Sequence, residues 1–174
     1  MSKHEKRQEG CMKGSVEYRE ITPEDDADIA RIARYNLKKH GLDLPGTVYF
    51  DDNLDHLSDF YLADGYRRFY YVLTDNGKVV GGVGLAEFEF FENCAELQKL
   101  YLTDEQKGNG IGYDLISLIE DKARQLGYER IYLETHTNLE AAIHIYEKCG
   151  YERIEKPAGV VHATMNTFFI KELS

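Results

Sequence analysis

Apolar and polar residues alternate along the chain in a pattern that predicts the order of its secondary-structure elements. Residues Val16 to Ile21 alternate as a short strand. The segment 22–39 begins with Thr-Pro-Glu-Asp, which supplies an N-cap, a first-position proline and first-turn acids, and we expect a helix that ends before Gly41. A second helix is predicted over residues 53–63, where three leucine and tyrosine side chains fall on one stripe.

A hairpin is predicted next, with strands at 67–74 and 79–90 joined by an Asp-Asn-Gly turn. A further strand covers residues 94–102. The remaining pattern predicts helices at 111–126 and 139–148 and strands at 131–133, 151–155 and 165–171. Because antiparallel strands come first and a strand-helix-strand unit follows, we expect a mixed α/β fold around one central sheet.

The composition favours one globular domain. The 174 residues are 43% hydrophobic, and we assign residues 15–174 to this domain and residues 1–14 to a polar N-terminal tail. Lys and Arg total 21 against 31 for Asp and Glu, and a net charge of -10 disfavours nucleic acid as a partner. No apolar run approaches the roughly 18 residues that span a membrane. The three cysteines lack paired or metal-binding spacing, so we expect a cytoplasmic protein without a metal.

Three glycines stand at the start of the helix predicted from Ile111. Gly108, Gly110 and Gly112 alternate there, although glycine is a poor helix former. The first N–H groups of a helix lack intrahelical partners and attract anions, and glycine lets the backbone approach a phosphate closely. The alternative is structural: a turn residue, an N-cap and a close-packing position. Both interpretations remain open at this point.

The spacing of these glycines excludes two common phosphate-binding motifs. A Walker loop needs a glycine followed by Lys and Ser or Thr, and no glycine of this chain is followed in this way. The dinucleotide fingerprint would need its third glycine at Tyr113 or at Leu115. The function of the glycines therefore has to be inferred from the surrounding sequence.

The surrounding sequence resembles the GCN5-related N-acetyltransferase (GNAT) superfamily. A strand AELQKLYL, residues 95–102, leads into KGNGIG at 107–112, and THTNLEAAIHIYEKCGY follows at 135–151. The family has a strand, an [RQ]-x-x-G-x-[GA] loop and an Asn…Ala…Tyr-x-x-x-Gly-[FY] segment in this order, with Lys107 here at the Arg or Gln position. The resemblance implies one mixed, largely antiparallel sheet of about six or seven strands, flanked by about four helices, whose fourth and fifth strands splay apart.

The resemblance also implies that acetyl-CoA is the cosubstrate. In the family, the amides of the glycine loop hold the pyrophosphate, and the splayed strand binds the pantetheine arm and the thioester carbonyl. Asn138 matches a pantetheine-contacting Asn, although it is equally placed to be the N-cap of the next helix. The cofactor-binding residues implied are Leu100, Tyr101, Leu102, Lys107, Gly108, Asn109, Gly110, Ile111, Gly112 and Asn138.

Two catalytic groups are predicted. Tyr146 matches the family tyrosine that protonates the leaving thiolate, although its neighbours also suit a core tyrosine. For the base we choose Glu96, the region where some family members place theirs, with Glu87 second and water as a further alternative. Strand parity puts Glu96 and Gln98 on the face of Leu100. Either glutamate is also typical of a solvated strand edge.

The acceptor is predicted to be an amine. Residues 41–66 carry six aspartates and no lysine or arginine, which would attract a cation, although a solvated helix face has the same composition. We expect an acetyl-CoA-dependent N-acetyltransferase that moves the acetyl group directly to a primary amine, either a small cationic amine or a peptide amine. The alternative is a non-catalytic domain that binds or senses acyl-CoA. Family habit further implies a homodimer.

Overall fold

The computed structural model describes residues 15–161 and 164–174, together with the backbone of residues 10–12. Within them, eight strands form one sheet in the order β1-β2-β3-β4-β5-β6-β8-β7, and its single parallel pair is β5 with β6. The strands are β1 Gly10–Met12, β2 Val16–Glu20, β3 Phe69–Asp75, β4 Lys78–Phe88, β5 Cys94–Leu102, β6 Arg130–Thr135, β7 Glu152–Ile154 and β8 Thr167–Glu172. The mixed, largely antiparallel fold is confirmed.

The sheet has one strand more than expected. The extra strand, β1, lies in the segment predicted to be a tail, and it pairs with β2 from Gly10↔Tyr18 to Met12↔Val16. Three residues that begin with glycine carry no alternating pattern, so sequence periodicity could not reveal this strand. The other residues of the predicted tail, 1–9 and 13–14, lie outside the described residues.

Four α-helices occur in the described part of the chain, as expected. They are α1 Asp26–Lys39, α2 Leu57–Tyr61, α3 Ile111–Gln125 and α4 Glu140–Lys148. The second is shorter than predicted because its first turn, Leu54–His56, is a 3₁₀ helix. The amide and hydroxyl of Ser58 both donate to the Asp26 carboxylate, at 2.9 and 2.6 Å, which docks α2 on the start of α1.

The helices pack on opposite faces of the sheet. Along β3, Tyr70 and Val72 join the core cluster that contains residues of α1 and α2, whereas Tyr71 and Leu73 join the cluster that contains residues of α3 and α4. This alternation is the period of two that a strand imposes on its side chains. Each face of the sheet therefore has its own core.

Strand β5 is bulged in the middle. Gly84 pairs with Gln98 and Gly82 with Tyr101, so Val83 stands opposite two residues, and the first of these, Lys99, has φ of 52°. A bulge of this kind bends the strand and reverses the facing of the side chains that follow it.

The prediction that Glu96 and Gln98 lie on the same face of the sheet as Leu100 is therefore wrong. Gln98 accepts a hydrogen bond at 2.8 Å from Tyr61, a residue of the α1 and α2 core, whereas Leu100 packs in the core on the α3 and α4 side. Strand parity failed because the bulge inserts one extra residue between Gln98 and Tyr101.

Glycines in β4 make room for the tyrosines that support the bulge. A Cβ added at Gly84 would lie 2.5 Å from the Tyr61 hydroxyl, and one at Gly82 would lie 2.5 Å from Cε1 of Tyr70. The Tyr70 hydroxyl donates to the carbonyl of Lys99 at 2.9 Å. The buried side chains of Tyr61 and Tyr70 thus hold the bulge in place from the α1 and α2 side of the sheet.

Strands β5 and β6 separate soon after they meet. Their parallel pairing runs over three residue pairs, from Cys94↔Arg130 to Glu96↔Tyr132, and stops there. Because β1 shifts the numbering by one, β5 and β6 are the fourth and fifth strands that were predicted to splay apart. The second half of β5, residues 97–102, borders the gap.

Candidate active site

A first cavity of about 430 Å³ lies between the second half of β5, the start of α3, the end of α1 and α4. Its walls include many of the residues that the sequence singled out, namely Leu100, Tyr101, Leu102, Lys107, Gly108, Gly110, Gly112 and Tyr146. Asn109, Ile111 and Asn138 do not line it. The structure therefore brings the glycine loop, the splayed strand and the candidate acid to one place.

The three glycines act as a turn residue, an N-cap and a close-packing position, as the structural alternative expected. They also line the cavity. Gly108 and Gly110 have φ of 80° and 83°, and Gly110 is the N-cap of α3. A Cβ on Gly112 would lie 3.2 Å from Cδ1 of Ile145, so this position allows close packing against α4. Asn109 Oδ1 accepts the N–H of Ile111 at 3.3 Å. Turn, cap and packing together place the start of α3 at the cavity wall.

Lys107 is held by two neighbours at the entrance to the loop. Its ammonium donates to Asn36 Oδ1 and, at 3.1 Å, to the carboxylate of Asp104. Hydrogen bonds from Tyr35, then from Lys39 and from Lys107, hold the pKa of the Asp104 carboxyl well below its usual range.

Asn36 is a residue of the cavity wall that sequence reasoning missed. It is buried on α1, and its Nδ2 donates to the carbonyl of Leu102 at 2.9 Å while its Oδ1 accepts from Lys107. It thereby joins the end of β5 to the loop that follows. The available signal was an amide side chain next to Leu37 within the apolar stripe of the helix.

Asn138 is neither an N-cap nor part of the cavity wall. Helix α4 begins at Glu140 with Leu139 in the N-cap position. The exposed Asn138 side chain instead donates to the carbonyl of His40 at 3.0 Å, which ties the approach to α4 to the end of α1. Its neighbour Leu139 lines the cavity.

A second cavity of about 320 Å³ adjoins the first. The two share Leu37, Leu100, Tyr101, Leu139 and Tyr146 as wall residues. The walls of the second cavity are more polar, and its charged and amide side chains are Asp51, Glu96, Gln98, Lys99 and Glu134. One largely apolar cleft therefore opens into one polar cavity.

Tyr146 stands where the cavities meet. Its ring packs against the rings of Tyr151 and Phe169, with centroids 6.0 Å apart in both pairs, so it is a core residue. Its hydroxyl has no hydrogen-bond partner among the described residues. Burial raises the pKa of this phenol well above its ordinary value, so it is protonated at neutral pH.

Glu96 lines the second cavity, and Glu87 lines neither. Burial, with help from the charge of Glu134, raises the pKa of the Glu96 carboxyl to about 7, against the opposing effects of Gln98 and Lys99. Such a group exchanges protons near neutral pH. Glu87 instead forms an ion pair with Arg68, whose Nε lies 2.8 Å from its carboxylate.

The aspartates of residues 41–66 contribute little to the cavities. Asp51 lines the second cavity. Asp55 pairs with Arg34 at 2.7 and 2.8 Å, and the other four line neither cavity. Most of this acidic segment therefore matches the solvated-surface alternative.

Comparison with known proteins agrees with this geometry. The family model described as "Acetyltransferase (GNAT) family" matches residues 34–151, which include the glycine loop and Tyr146. The chain belongs to the GNAT family. A relative, the uncharacterized N-acetyltransferase YjgM of Escherichia coli K12, is 35% identical over 158 residues that cover 89% of this chain and 93% of YjgM.

Solved GNAT-like structures share the fold. An acetyltransferase from Streptococcus agalactiae superposes with a TM-score of 0.77 at 20% identity, covering 91% of this chain and 99% of the other. The spermidine N-acetyltransferase of Vibrio cholerae, solved with CoA and spermine, gives a TM-score of 0.67 at 21% identity, covering 91% and 96%. Because the family model describes acetyltransferases and the relative is an N-acetyltransferase, this GNAT protein is an N-acetyltransferase.

Two further structural findings concern the described residues of this GNAT protein. No helix in residues 15–161 and 164–174 is long and apolar enough to cross a membrane. The same residues contain no group of three or more His, Cys, Asp or Glu side chains placed to hold a metal ion.

Proposed function

We propose that this enzyme transfers an acetyl group from acetyl-CoA directly to a primary amine, on a small molecule or at the end of a peptide. The observation that carries the proposal is the junction of the two cavities, where Tyr146 is shared and Glu96 lies on the polar side. A glycine-lined helix start and a separated strand edge suit the diphosphate and the arm of acetyl-CoA.

The chain would hold acetyl-CoA mainly through its backbone. The N–H groups of the glycine loop and the start of α3, from Gly108 to Gly112, would bind the pyrophosphate, with Lys107 adding positive charge. The edge of β5 from Leu100 to Leu102 would bind the arm and the thioester carbonyl. Asn138 would act indirectly, because its bond to His40 fixes the end of α1 beside the cleft.

Glu96 and Tyr146 would divide the proton transfers. Glu96 first passes the ammonium proton of the amine to solvent. As the amine nitrogen then bonds to the acetyl carbon and the carbon–sulfur bond breaks, Glu96 accepts the second proton that the nitrogen loses, directly or through water, and returns it to solvent. Tyr146 gives its proton to the leaving sulfur and regains one from solvent. The products are the N-acetyl amine and free CoA, and no acetyl group is attached to the enzyme.

The amine must lose a proton before it attacks. An alkylammonium group with a pKa near 10.4 costs roughly 4.6 kcal/mol to neutralise at pH 7. A carboxylate whose pKa is about 7 accepts this proton far better than an ordinary glutamate with a value of 4.5 would. The part of the second cavity beside Glu96 therefore suits a basic amine.

The test is a panel of amines incubated with acetyl-CoA, read by thiol release and by mass spectrometry of the product. With an accepted amine, Tyr146→Phe should lower kcat roughly 10²- to 10³-fold, and the Kd for CoA should stay within about threefold. Tyr66→Phe is the matched control, because Tyr66 is 57% exposed and lines neither cavity.

Each result bears on a different part of the proposal. Nearly unchanged turnover in Tyr146→Phe contradicts the acid role alone. Tight CoA binding without acetylation of any amine contradicts the transferase proposal and supports the alternative of a CoA-sensing domain.

A further inference from the structure

Lys99 is the one basic residue among the described walls of the second cavity. It occupies the bulge of β5 in the left-handed region, at φ of 52°, and its carbonyl is fixed by the hydroxyl of Tyr70. Bulges next to active sites commonly re-aim a side chain. The local backbone thus holds an ammonium group at the polar cavity.

The ammonium of Lys99 is poorly compensated. No hydrogen bond or ion pair within 4.0 Å joins it to any of the residues 15–161 and 164–174. Burial lowers the pKa of Lys99, and the charges of Asp51 and Glu96 oppose this effect only in part. An ammonium in such surroundings is stabilised by an anion that approaches it closely.

The other charged walls of the cavity are acidic. Glu96 and Glu134 interact electrostatically and lie on the neighbouring strands β5 and β6, and Asp51 lies on the loop before α2. A cation therefore has partners beside the glutamates, and an anion has a partner at Lys99. The cavity is also small, at about 320 Å³, near the low end of ligand pockets.

We propose that the acceptor is a small zwitterion, an amine that also carries a carboxylate, with the carboxylate bound by Lys99 and the amine beside Glu96 and Glu134. This inference rests on the proposed acetyl transfer and narrows its substrate class to molecules of amino-acid size. Polyamines are disfavoured, because a second cationic group would approach the Lys99 ammonium.

The experiment compares acceptors in matched pairs, using the full-length enzyme with acetyl-CoA. Each pair consists of an amino acid and its amide, or of an amino acid and the amine left after removal of the carboxyl group, and putrescine and spermidine complete the set. The carboxylated member should have the higher kcat/KM, by roughly 10- to 150-fold, the range of one charge-assisted hydrogen bond.

The variant Lys99→Met removes the charge and keeps most of the side-chain volume. It should lower kcat/KM for the carboxylated member by a similar factor more than for the carboxylate-free member, mainly through KM, and the smaller loss in the carboxylate-free member measures the effect of the missing charge on Glu96. Lys78→Met makes the same chemical change at an exposed position outside both cavities and should alter neither.

The outcomes separate this inference from the function on which it rests. A polyamine or carboxylate-free amine as the best acceptor overturns the inference and leaves acetyl transfer standing, as does an equal loss for both members of a pair in Lys99→Met. If that variant does not fold, the wild-type ranking decides alone. Failure to acetylate any amine contradicts both proposals.

Discussion

At the scale of single residues, the same burial that suits Glu96 to proton transfer also makes it costly to the fold. A buried carboxyl whose pKa is raised from 4.5 to about 7 binds its proton more tightly in the folded state than in the unfolded one. Its contribution to stability is fully present below the unfolded pKa and is lost as the pH rises through about 7. Neutral pH therefore destabilises this site.

We expect Glu96→Gln to be more stable than the wild type at neutral and alkaline pH. The difference in the free energy of unfolding should grow from about pH 4.5 to about pH 7 and stay level above, reaching about 1–3 kcal/mol when partial exposure is allowed for. Urea unfolding at a series of pH values measures it.

The same variant should lose roughly 10²- to 10⁴-fold in kcat/KM with an accepted amine. Glu92→Gln, a matched change at an exposed turn, should affect neither quantity. A stability difference that is independent of pH would contradict the raised pKa, and full activity in Glu96→Gln would leave water as the base.

Residue placement was predictable from sequence where a motif carried it and not where local geometry did. The position of Tyr146 and of the three glycines at the cleft was predicted correctly, because their spacing fixes them on a helix face and at a helix start. Lys99 and Asn36 escaped notice, since one depends on a bulge that breaks strand parity and the other on a contact between α1 and the end of β5. The chemical roles of these residues stay predictions.

At the scale of elements, the loop before α3 combines a left-handed backbone with an open approach. Gly108 has φ of 80°, and a Cβ added there would meet nothing within 4 Å. Gly77, in the hairpin turn between β3 and β4, has the same φ of 80° and equally open surroundings. These two glycines therefore allow the effect of backbone strain to be separated from the effect of obstructing a ligand.

Gly108→Ala and Gly77→Ala should destabilise the protein by similar amounts, about 1 kcal/mol each, because both force an alanine into the left-handed region. Only Gly108→Ala should weaken CoA binding, by about tenfold or more, if the loop amides hold the pyrophosphate. Thermal unfolding and calorimetric titration measure the two effects. Equal CoA affinity in both variants would count against the pyrophosphate site.

Element boundaries followed the sequence where caps and periodicity agreed. Helix α3 starts at the predicted residue because Gly110 forces the N-cap there, and the hairpin forms at its Asp-Asn-Gly turn. Helix α2 is shorter than its apolar stripe suggested, because its first turn is a 3₁₀ helix, and Ser58 docks it on Asp26. Such docking depends on residues distant in the chain, which a local pattern does not encode.

At the scale of the whole molecule, the cleft is assembled from both halves of the chain. Its walls come from α1, β5, the start of α3 and α4, and Asn138 and Asn36 link these elements through backbone carbonyls. A ligand that contacts all of them should stabilise the fold as a unit.

CoA at a free concentration of 100 times its Kd should raise the free energy of unfolding by about 2.7 kcal/mol. For a domain of this size, the corresponding rise in Tm is about 5–11 °C. Differential scanning fluorimetry with increasing CoA measures it, and 3′-dephospho-CoA, which keeps the pyrophosphate, should act similarly at the same saturation. A Tm that does not change at saturation would show that the ligand does not bind the folded protein selectively.

The early parting of β5 and β6 has an evolutionary consequence. The donor is expected to occupy main-chain groups that the sheet leaves unpaired, and these persist whatever side chains the surrounding positions carry, apart from the glycines. The acceptor is expected to meet side chains such as Lys99 and Glu134, each of which can be replaced by one mutation. Mutation over time should therefore preserve acetyl-CoA as the donor while the range of accepted amines changes. New acceptor preferences should arise in this chain without loss of acetyl-CoA binding.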